Sequence, residues 1–374
     1  MNIENVQLLM FAEDTGAANC IAKIPEILAE KGVKYHLLAN GAAIDYFNKR
    51  GVHSNPNTEG LNASQVIAFL APDLILVGTS ENLDSLGLFL IKEARATGIE
   101  TIGIIDAFPN ADRRFCGRSN NPLAFIPDWL IVPDLWTKQA YIDLGVDSSH
   151  IKVLGHPHYD FVLEQKDQLA HETKTAVRRR VLSDNSENRK VVTFAAEGPV
   201  RLKPKSNQYL SECTIPVRNY NLGRTEIVLE AFIKATNNIS NKPFMVLRLH
   251  PKDELSDYEA YLDEFDLVSN NGPPLDLIYA SDIVVGITST ILIEALLLGA
   301  SVLSILPHKR DIETLSINRM NVSPYVTNEM DLQMELNNFL HNDNNGEVTL
   351  SGDLIVPDSL SKTVDFIEKR LEIS

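Results

Sequence analysis

The feature that most constrains the fold of this chain is a regular alternation of short apolar runs with segments of helical periodicity. Apolar runs at 6–12, 33–39 and 74–77 are separated by segments whose apolar residues recur at helical spacing and which often end at a glycine. Such runs are typical of strands buried on both faces, and their alternation with helices predicts a parallel, doubly wound sheet. Because the alternation resumes with runs at 190–195 and 244–249, we predict two doubly wound, Rossmann-like α/β domains.

The length of 374 residues also favours two domains, because one hydrophobic core rarely extends over so long a chain. We predict an N-terminal domain over 1–160, a C-terminal domain over 161–358 and a final helix over 359–374 that could pack back on the first domain. Ligands of open parallel sheets bind beyond the carboxyl ends of the strands. We therefore expect the strand-end loops of the two domains to face each other across a cleft.

Composition narrows the class of protein. A net charge of −16 argues against a nucleic-acid partner and against broad adhesion to anionic lipid, so we expect membrane contact to be peripheral at most. No apolar run reaches the length of a transmembrane helix, and the N-terminus lacks the pattern of a secretory signal. The cysteines (Cys20, Cys116 and Cys213) are far apart, which fits a reducing compartment, so we expect a cytoplasmic protein.

Three loops of the N-terminal half follow predicted strands and should meet on one rim of the sheet. They are 13–19, which we expect to lead into a single helix ending at Gly32, and then 78–82 and 106–115. Their acidic, amide and aromatic groups suit a substrate rich in hydroxyl or amino groups. The residues that we select as candidates for contact with such a substrate are Thr15, Gly16, Asn19, Asn82, Phe108 and Asn110.

The carboxylates of these loops are candidates for a general base, which takes a proton from an attacking hydroxyl group. We favour Asp14 and Asp106, with Glu13 and Glu81 as second choices. A structural role stays open for the first pair, because Asp14 could cap a helix and Asp106 could cap the turn after its strand. The interpretation depends on the convergence of these groups at the strand ends.

The strongest signal in the C-terminal half is the segment 281–299, in which an apolar run leads through hydroxyl-bearing residues into an apolar helix closed by a glycine. Thr288, Ser289 and Thr290 stand where the helix begins, and Glu294 lies one turn further on the same face. Free backbone N–H groups at a helix start attract anions, so this turn could hold a diphosphate while the carboxylate holds ribose hydroxyls. The alternative is that the hydroxyls only cap the helix and that Glu294 is solvated.

Two other strand-end segments of the C-terminal half are basic. Arg201, with Lys203 and Lys205, forms one, and Arg248 with His250 forms the other. Both suit contact with phosphate, although a solvated run of charge explains the first equally well. The first half thus offers acidic and amide groups and the second offers basic and hydroxyl groups. This asymmetry favours an activated sugar as substrate, with its anionic leaving group on the second domain.

The sequence GHPHYD at 155–160 lies between the two halves. Two histidines two positions apart could indicate a metal site. However, Pro157 between them favours an extended turn, and no third ligand lies nearby in the sequence. We therefore expect a hinge here, and no metal.

With these residues in view, the chain resembles the GT-B glycosyltransferases, and among them the enzymes similar to lipid A disaccharide synthase. GHPHYD at 155–160 is similar to the Gly-His-Pro-x-x-Asp of their domain junction. TSTILIE at 288–294 keeps the hydroxyls and the glutamate of their Ser-Gly-Thr-Ala-Thr-Leu-Glu segment. AEDTGA at 12–17 stands in the place of their Gly-Glu-x-Ser-Gly-Asp loop, and RLHP at 248–251 is similar to the strand end of glycerophosphate-transferring relatives.

The resemblance implies a metal-independent transfer from a nucleotide sugar, such as a UDP-sugar, which acts as donor substrate with no bound cofactor. In the family pattern Glu294 would bind ribose, and Thr288, Ser289 and Thr290 would bind the diphosphate. The UDP-N-acetylglucosamine 2-epimerases share the fold and carry Ser-Gly-Gly-x-x-Glu-Glu at this place. Ile293 replaces the first of those glutamates here, which counts against an epimerase.

We therefore hypothesise an inverting GT-B glycosyltransferase of polysaccharide, glycolipid or metabolite biosynthesis, with a nucleotide-sugar donor and a glycan, lipid-linked or small-molecule acceptor. Its N-terminal domain would bind the acceptor and its C-terminal domain the donor. Asp14 or Asp106 would take the acceptor proton, while Arg201, Arg248 and the turn at 288–290 stabilise the diphosphate. The alternatives are a sugar-nucleotide epimerase or hydrolase, which needs no acceptor, and a non-enzymatic relative that only binds a nucleotide sugar.

Overall fold

The structure is a computed structural model, and it describes residues 7–55, 60–80, 82–182, 186, 188–198, 211–217, 223–251, 253–270, 274–341 and 354–372. The chain divides into two compact units. The first contains Met1–Phe161 and Ser351–Ser374, and the second contains Val162–Leu350. Among the helices described, none is long and apolar enough to cross a membrane.

The first unit is built on a parallel sheet with the strand order β2-β1-β3-β4-β5-β6. Its strands are β1 (Gln7–Ala12), β2 (Lys34–Ala39), β3 (Leu74–Gly78), β4 (Glu100–Ile104), β5 (Trp129–Val132) and β6 (Ile151–Val153). The strand order reverses between β1 and β3. The loops after these two strands therefore flank the switch point at which ligands of such sheets bind.

Helices cover both faces of this sheet, which explains why its strands read as nearly continuous apolar runs. Leu8 and Met10 of β1 point into one core, while Leu9 and Phe11 point into the other. The helices that follow the strands are α1 (Thr15–Ile21), α2 (Ile24–Glu30), α3 (Ala42–Lys49), α4 (Ala63–Leu70), α5 (Leu86–Thr97) and α6 (Leu135–Asp143). The first three pack on one face, and the last three contribute to the core on the other.

A glycine at the end of β3 fixes how closely α1 approaches the sheet. A Cβ added at Gly78 would lie 2.5 Å from the Cβ of Ala17, a separation that real side chains do not tolerate. Glycine therefore allows α1 to dock directly on the end of β3. This contact brings the loops after β1 and β3 next to each other.

The second unit repeats this architecture with the strand order β12-β11-β10-β7-β8-β9. Its strands are β7 (Val191–Ala195), β8 (Phe244–Arg248), β9 (Leu267–Ser269), β10 (Ile283–Gly286), β11 (Ser301–Ile305) and β12 (Tyr325–Val326). Here the order reverses between β7 and β10, so the loops after these strands flank the switch point.

The helices α7 (Pro157–Leu169), which crosses from the first unit into the second, and α8 (Lys174–Val181) precede this sheet. Those that follow its strands are α9 (Arg224–Asn237), α10 (Pro274–Ala280), α11 (Ile291–Leu297), α12 (Ser316–Arg319) and α13 (Glu329–His341). Asp282 anchors the sheet to α8, because its Oδ2 lies 2.6 Å from Nη2 of Arg178 and accepts a 2.7 Å hydrogen bond from the backbone N–H of Val191. This half-buried carboxylate thus aligns the starts of β7 and β10.

The last helix, α14 (Ser359–Glu372), belongs to the first unit. Val364, Ile367 and Leu371 enter the core on the face covered by α1, α2 and α3. The ring of Phe366 meets that of Trp129 edge to face at 5.6 Å. A helix more than 200 residues distant in sequence from this sheet therefore completes its core.

Two local predictions are wrong, and proline explains both. The sequence predicts one helix from the first loop to Gly32, but α1 and α2 are separate, with Pro25 in the first turn of α2. The sequence predicts an extended turn at Pro157, but Pro157 is instead the first residue of α7. Proline is favoured at such positions because its missing N–H has no intrahelical partner there and its φ is already helical.

We expect Ile367→Ala to lower the free energy of unfolding of the first unit by about 2–5 kcal/mol, because it empties a buried site in the core. Both tryptophans of the chain, Trp129 and Trp136, lie in this unit. Urea unfolding followed by tryptophan fluorescence therefore measures the change. Lys369→Ala, on the exposed face of the same helix, is the control. Equal unfolding midpoints for the two variants would show that α14 does not stabilise this unit.

Candidate functional site

The first unit brings together polar side chains that follow three strands of its sheet. Glu13 follows β1, Asn82 follows β3 and Asp106 follows β4. Nδ2 of Asn82 donates a 2.7 Å hydrogen bond to Oε1 of Glu13, which joins the first loop to the second. The hydroxyl of Thr79 lies 3.2 Å from Oδ1 of Asp106, which joins the second loop to the third. The three loops thus meet at the carboxyl edge of the sheet.

Asp106 is held by a buried arginine. Nη1 of Arg114 lies 2.6 Å from Oδ1 of Asp106 and donates a 2.7 Å hydrogen bond to the hydroxyl of Thr79. The remaining nitrogens of the guanidinium donate to the carbonyl oxygens of Ala107 and Pro109, both at 3.1 Å. Because Arg114 is only 8% exposed, its charge requires this compensation. The negative charge of Asp106 therefore serves a buried network, which limits its use as a base.

Three residues expected in the first loop lie instead in α1, namely Thr15, Gly16 and Asn19. Gly16 packs against the third loop so closely that an added Cβ would overlap Oδ2 of Asp106. Oδ1 of Asn19 accepts a hydrogen bond from the hydroxyl of Tyr46 on α3. Gly16 and Asn19 therefore have close contacts within the fold, and contact of these three residues with substrate stays a prediction.

Glu13 differs from Asp106 because one of its carboxylate oxygens is not used. Oε1 accepts from Asn82, whereas Oε2 is buried and makes no hydrogen bond to any other described residue. A buried polar atom without a partner costs free energy, and a water molecule, a ligand or a reacting group can supply the missing hydrogen bond. Oε2 of Glu13 can therefore accept a hydrogen bond from a hydroxyl group without losing one to another described residue.

The other residues of the first unit that we predict as bases or substrate contacts are Asp14, Phe108, Asn110 and Glu81. Asp14 is the N-cap of α1, but its side chain makes no capping hydrogen bond. Phe108 is half-buried after β4, and Asn110 is exposed with a left-handed φ of 62°. Glu81 lies outside the described residues.

The histidines of the 155–160 segment pack inside the fold. Nδ1 of His156 accepts a 3.3 Å hydrogen bond from the backbone N–H of His158, and its Nε2 lies 3.6 Å from Sγ of Cys20. Burial lowers the pKa of His156 to about 3, so its imidazole is neutral. Because Nδ1 accepts a hydrogen bond, the proton of the neutral ring is on Nε2. Burial likewise raises the pKa of the Cys20 thiol. Within the described parts of the chain, no three His, Cys, Asp or Glu side chains are grouped to hold a metal ion.

In the second unit, an acidic residue after β7 holds the turn after β10. The backbone N–H of Thr288 donates to Oε1 of Glu197. The hydroxyl of Thr288 donates to the same oxygen at 2.9 Å. These contacts cross the switch point between β7 and β10, where the sheet topology brings the two strand ends together. A carboxylate therefore already occupies donors that the sequence assigns to a diphosphate.

Arg224 brings a positive charge to this turn, although the sequence alone does not single it out. Its Nη1 lies 2.6 Å from Oε2 of Glu197 and 3.2 Å from the hydroxyl of Thr288, and its Nη2 lies 3.1 Å from Oδ2 of Asp311. The signal that could have located it is Glu226, whose carboxylate caps the start of α9 and so fixes Arg224 as the first helical residue. Arginine at a helix start beside a strand end is suited to bind an anion.

Glu294 is 7% exposed, so it is not the solvated side chain of the alternative interpretation. Burial lowers the pKa of Arg248, and the negative charge of Glu294 partly opposes this effect, so the two groups are electrostatically coupled. Nη1 of Arg248 also donates a 2.8 Å hydrogen bond to the hydroxyl of Ser269 at the end of β9. The backbone N–H of His250 donates to Oδ2 of Asp253, which shapes the loop after β8.

The hydroxyls before α11 do little capping. Thr290 is the N-cap residue, but its side chain makes no capping hydrogen bond. Oγ of Ser289 accepts from the backbone N–H of Ile291 only at 3.5 Å. Helix capping therefore does not account for this run of hydroxyl groups. Arg201 lies outside the described residues.

No protein-family model matches the chain, and no curated protein matches its sequence. Solved structures match it over almost its whole length. The UDP-GlcNAc 2-epimerase of Neisseria meningitidis bound to UDP-GlcNAc is 13% identical, with a TM-score of 0.67 over 97% of this chain and 100% of that chain. The UDP-GlcNAc 2-epimerase of Methanocaldococcus jannaschii in complex with UDP-GlcNAc and UDP is 13% identical, with a TM-score of 0.65 over 97% of this chain and 100% of that chain.

HepE of Anabaena in complex with UDP-glucose is also similar, at 13% identity and a TM-score of 0.60 over 98% of each chain. TM-scores of 0.60–0.67 over 97–98% of the chain show that it shares the fold of these proteins. The chain has the GT-B fold, with two Rossmann-like α/β domains, as the sequence predicts.

Proposed function

We propose that the chain is an enzyme that acts on a nucleotide sugar and transfers the sugar to an acceptor. The acceptor would be a glycan, a lipid-linked saccharide or a small metabolite, and the transfer would proceed without a metal ion and with inversion. Solved structures of the same fold hold UDP, UDP-GlcNAc or UDP-glucose. This likeness supports a nucleotide sugar as the ligand of the present chain.

The observation that carries the proposal is that the buried Glu294, in the helix after β10, and Arg248, at the end of β8, both lie at the carboxyl edge of the second sheet. The negative charge of Glu294 acts on the guanidinium of Arg248 there. A carboxylate accepts hydrogen bonds at both of its oxygens, so two neighbouring ribose hydroxyls are suitable donors to it. Arg248 and the hydroxyl turn at 288–290 supply positive charge and hydrogen-bond donors for the diphosphate. Contacts of Arg201 and His250 with the nucleotide sugar stay predictions.

Within the proposal, Glu13 is the preferred base. The acceptor oxygen would attack the anomeric carbon, its proton would pass to Oε2 of Glu13, and the nucleoside diphosphate would leave with the electrons of the broken bond. Glu13 is preferred to Asp106 because Arg114 and Thr79 already engage the latter, whereas Oε2 of Glu13 is buried without a described partner. Asp14 stays an alternative base.

A sugar-nucleotide epimerase is the second candidate, because two of the similar structures are UDP-GlcNAc 2-epimerases. An epimerase inverts a carbon of the bound sugar and needs no second substrate. Conversion of UDP-GlcNAc in the absence of any acceptor would therefore favour this candidate, whereas product that forms only with an added acceptor favours the transferase.

We expect UDP to raise the stability of the wild-type chain and Glu294→Ala to abolish most of the effect, because the variant loses the ribose contact. Ligand at about 100 times its dissociation constant adds roughly 2.7 kcal/mol to the free energy of unfolding. The measurement is a thermal shift with UDP, CDP, GDP and ADP, which also identifies the base of the donor. Glu264→Ala, which removes a partly exposed carboxylate from the same unit, is the control.

Two outcomes would contradict this account of the donor site. If none of the nucleotides stabilised the wild-type chain, the nucleotide-sugar proposal would be wrong. If UDP stabilised wild type and Glu294→Ala equally, UDP would still be a ligand of the chain, but the ribose contact would be assigned to the wrong residue.

We expect Glu13→Gln to reduce turnover by about 10²–10⁴-fold, because glutamine keeps the shape of the side chain but cannot take the proton. The dissociation constant of UDP should stay unchanged, since the proposed donor residues lie in the other unit. Release of UDP from UDP-GlcNAc, with and without glycan and lipid-linked acceptors, measures turnover. Glu26→Gln, at a surface ion pair with Lys23, is the control. Full activity of Glu13→Gln together with loss of activity in Asp14→Asn would transfer the role to Asp14.

A further inference from the structure

Three hydrogen-bond donors of the second unit converge on the carboxylate of Glu197. They are the backbone N–H and the hydroxyl of Thr288 and the guanidinium of Arg224, and we refer to them as the anion pocket. The pocket thus comes from the turn after β10 and from the first residue of α9, and it binds both oxygens of one carboxylate. Phosphate oxygens accept hydrogen bonds from the same types of donor.

A second carboxylate also lies beside the guanidinium of Arg224. Nη2 of Arg224 lies 3.1 Å from Oδ2 of Asp311, whose side chain is only 13% exposed. Arg224 is itself the first residue of a helix of 14 residues, so its backbone is fixed by α9. Arg224 therefore keeps a fixed backbone and one neighbouring negative charge when the carboxylate of Glu197 leaves its guanidinium.

We propose that Glu197 is an internal competitor for the phosphate of the donor, and that a diphosphate displaces its carboxylate from the anion pocket. This inference rests on the proposed function, since it concerns the phosphate end of the same ligand. When the diphosphate binds, Thr288 and Arg224 pass from the carboxylate to phosphate oxygens, and the side chain of Glu197 turns away because the two anions repel each other. Glu197 thereby lowers the affinity for every phosphate-bearing ligand and selects those with additional contacts elsewhere, such as a nucleoside.

A different role for Glu197 predicts the opposite result. If its carboxylate only positioned Arg224 for the ligand, removing the negative charge would leave the guanidinium less well oriented and would weaken phosphate binding. The sign of the change in affinity therefore separates competition from positioning.

The test is isothermal titration calorimetry, which measures the dissociation constants of UDP, inorganic pyrophosphate and uridine. The proteins are the full chain as wild type, Glu197→Gln and Glu197→Ala. We expect UDP and pyrophosphate to bind at least about tenfold more tightly to both variants. Uridine, which carries no phosphate, should bind all three proteins equally. Glu230→Gln is the matched control, because it removes a carboxylate from α9 outside the anion pocket, and glutamine can still accept the hydrogen bond that Tyr261 donates to this side chain. Its affinities should equal those of wild type.

The outcomes distinguish this inference from the proposed function. Unchanged or weaker binding of pyrophosphate to both folded Glu197 variants, as judged by circular dichroism, would overturn the competition. Tighter pyrophosphate binding without any binding of UDP or uridine would support the competition and would contradict the nucleotide-sugar proposal. If Glu230→Gln tightened pyrophosphate binding as much as the Glu197 variants do, the effect would come from net charge alone, and the competition would also be overturned.

Discussion

The parallel pairing of strands is the constraint on which both candidate sites depend. Parallel strands place all their carboxyl ends on one edge of the sheet, and the order of the strands reverses once in each unit. At the first reversal Glu13 meets Asn82, and at the second Glu197 meets Thr288. Residues 69 and 91 positions apart in the chain are thereby brought within hydrogen-bond distance. The chemistry of each unit follows from the topology of its own sheet.

Charge compensation then divides the carboxylates into two groups. Asp106 is paired with the buried Arg114, and Glu197 is paired with Arg224, so each of these carboxylates has a partner within its own unit. Glu13 is different, because one of its oxygens is buried without a described partner. A carboxylate of this second kind is a better candidate for contact with substrate than one that stabilises an arginine, because substrate can use its oxygen without leaving a charge unpaired.

The sequence predicted the fold well because strands that are buried on both faces appear as apolar runs. Such runs can be recognised in a sequence without any knowledge of tertiary contacts. It did not predict β9 and β12, which have three and two residues and carry too little periodicity. Among site residues, Arg224 was missed because its significance comes from Glu197, 27 positions earlier, and from Asp311. Propensity and spacing locate helix starts and strand ends, but the choice of ion-pair partner depends on packing that a single sequence does not reveal.

The most direct test of the central claim is a crystal structure of the chain with UDP. The account predicts ribose hydroxyls within hydrogen-bond distance of the Glu294 carboxylate and diphosphate oxygens on Thr288 and Arg224, with the side chain of Glu197 turned away. UDP bound at a place remote from Glu294, or UDP bound while Glu197 still holds Thr288 and Arg224, would contradict it.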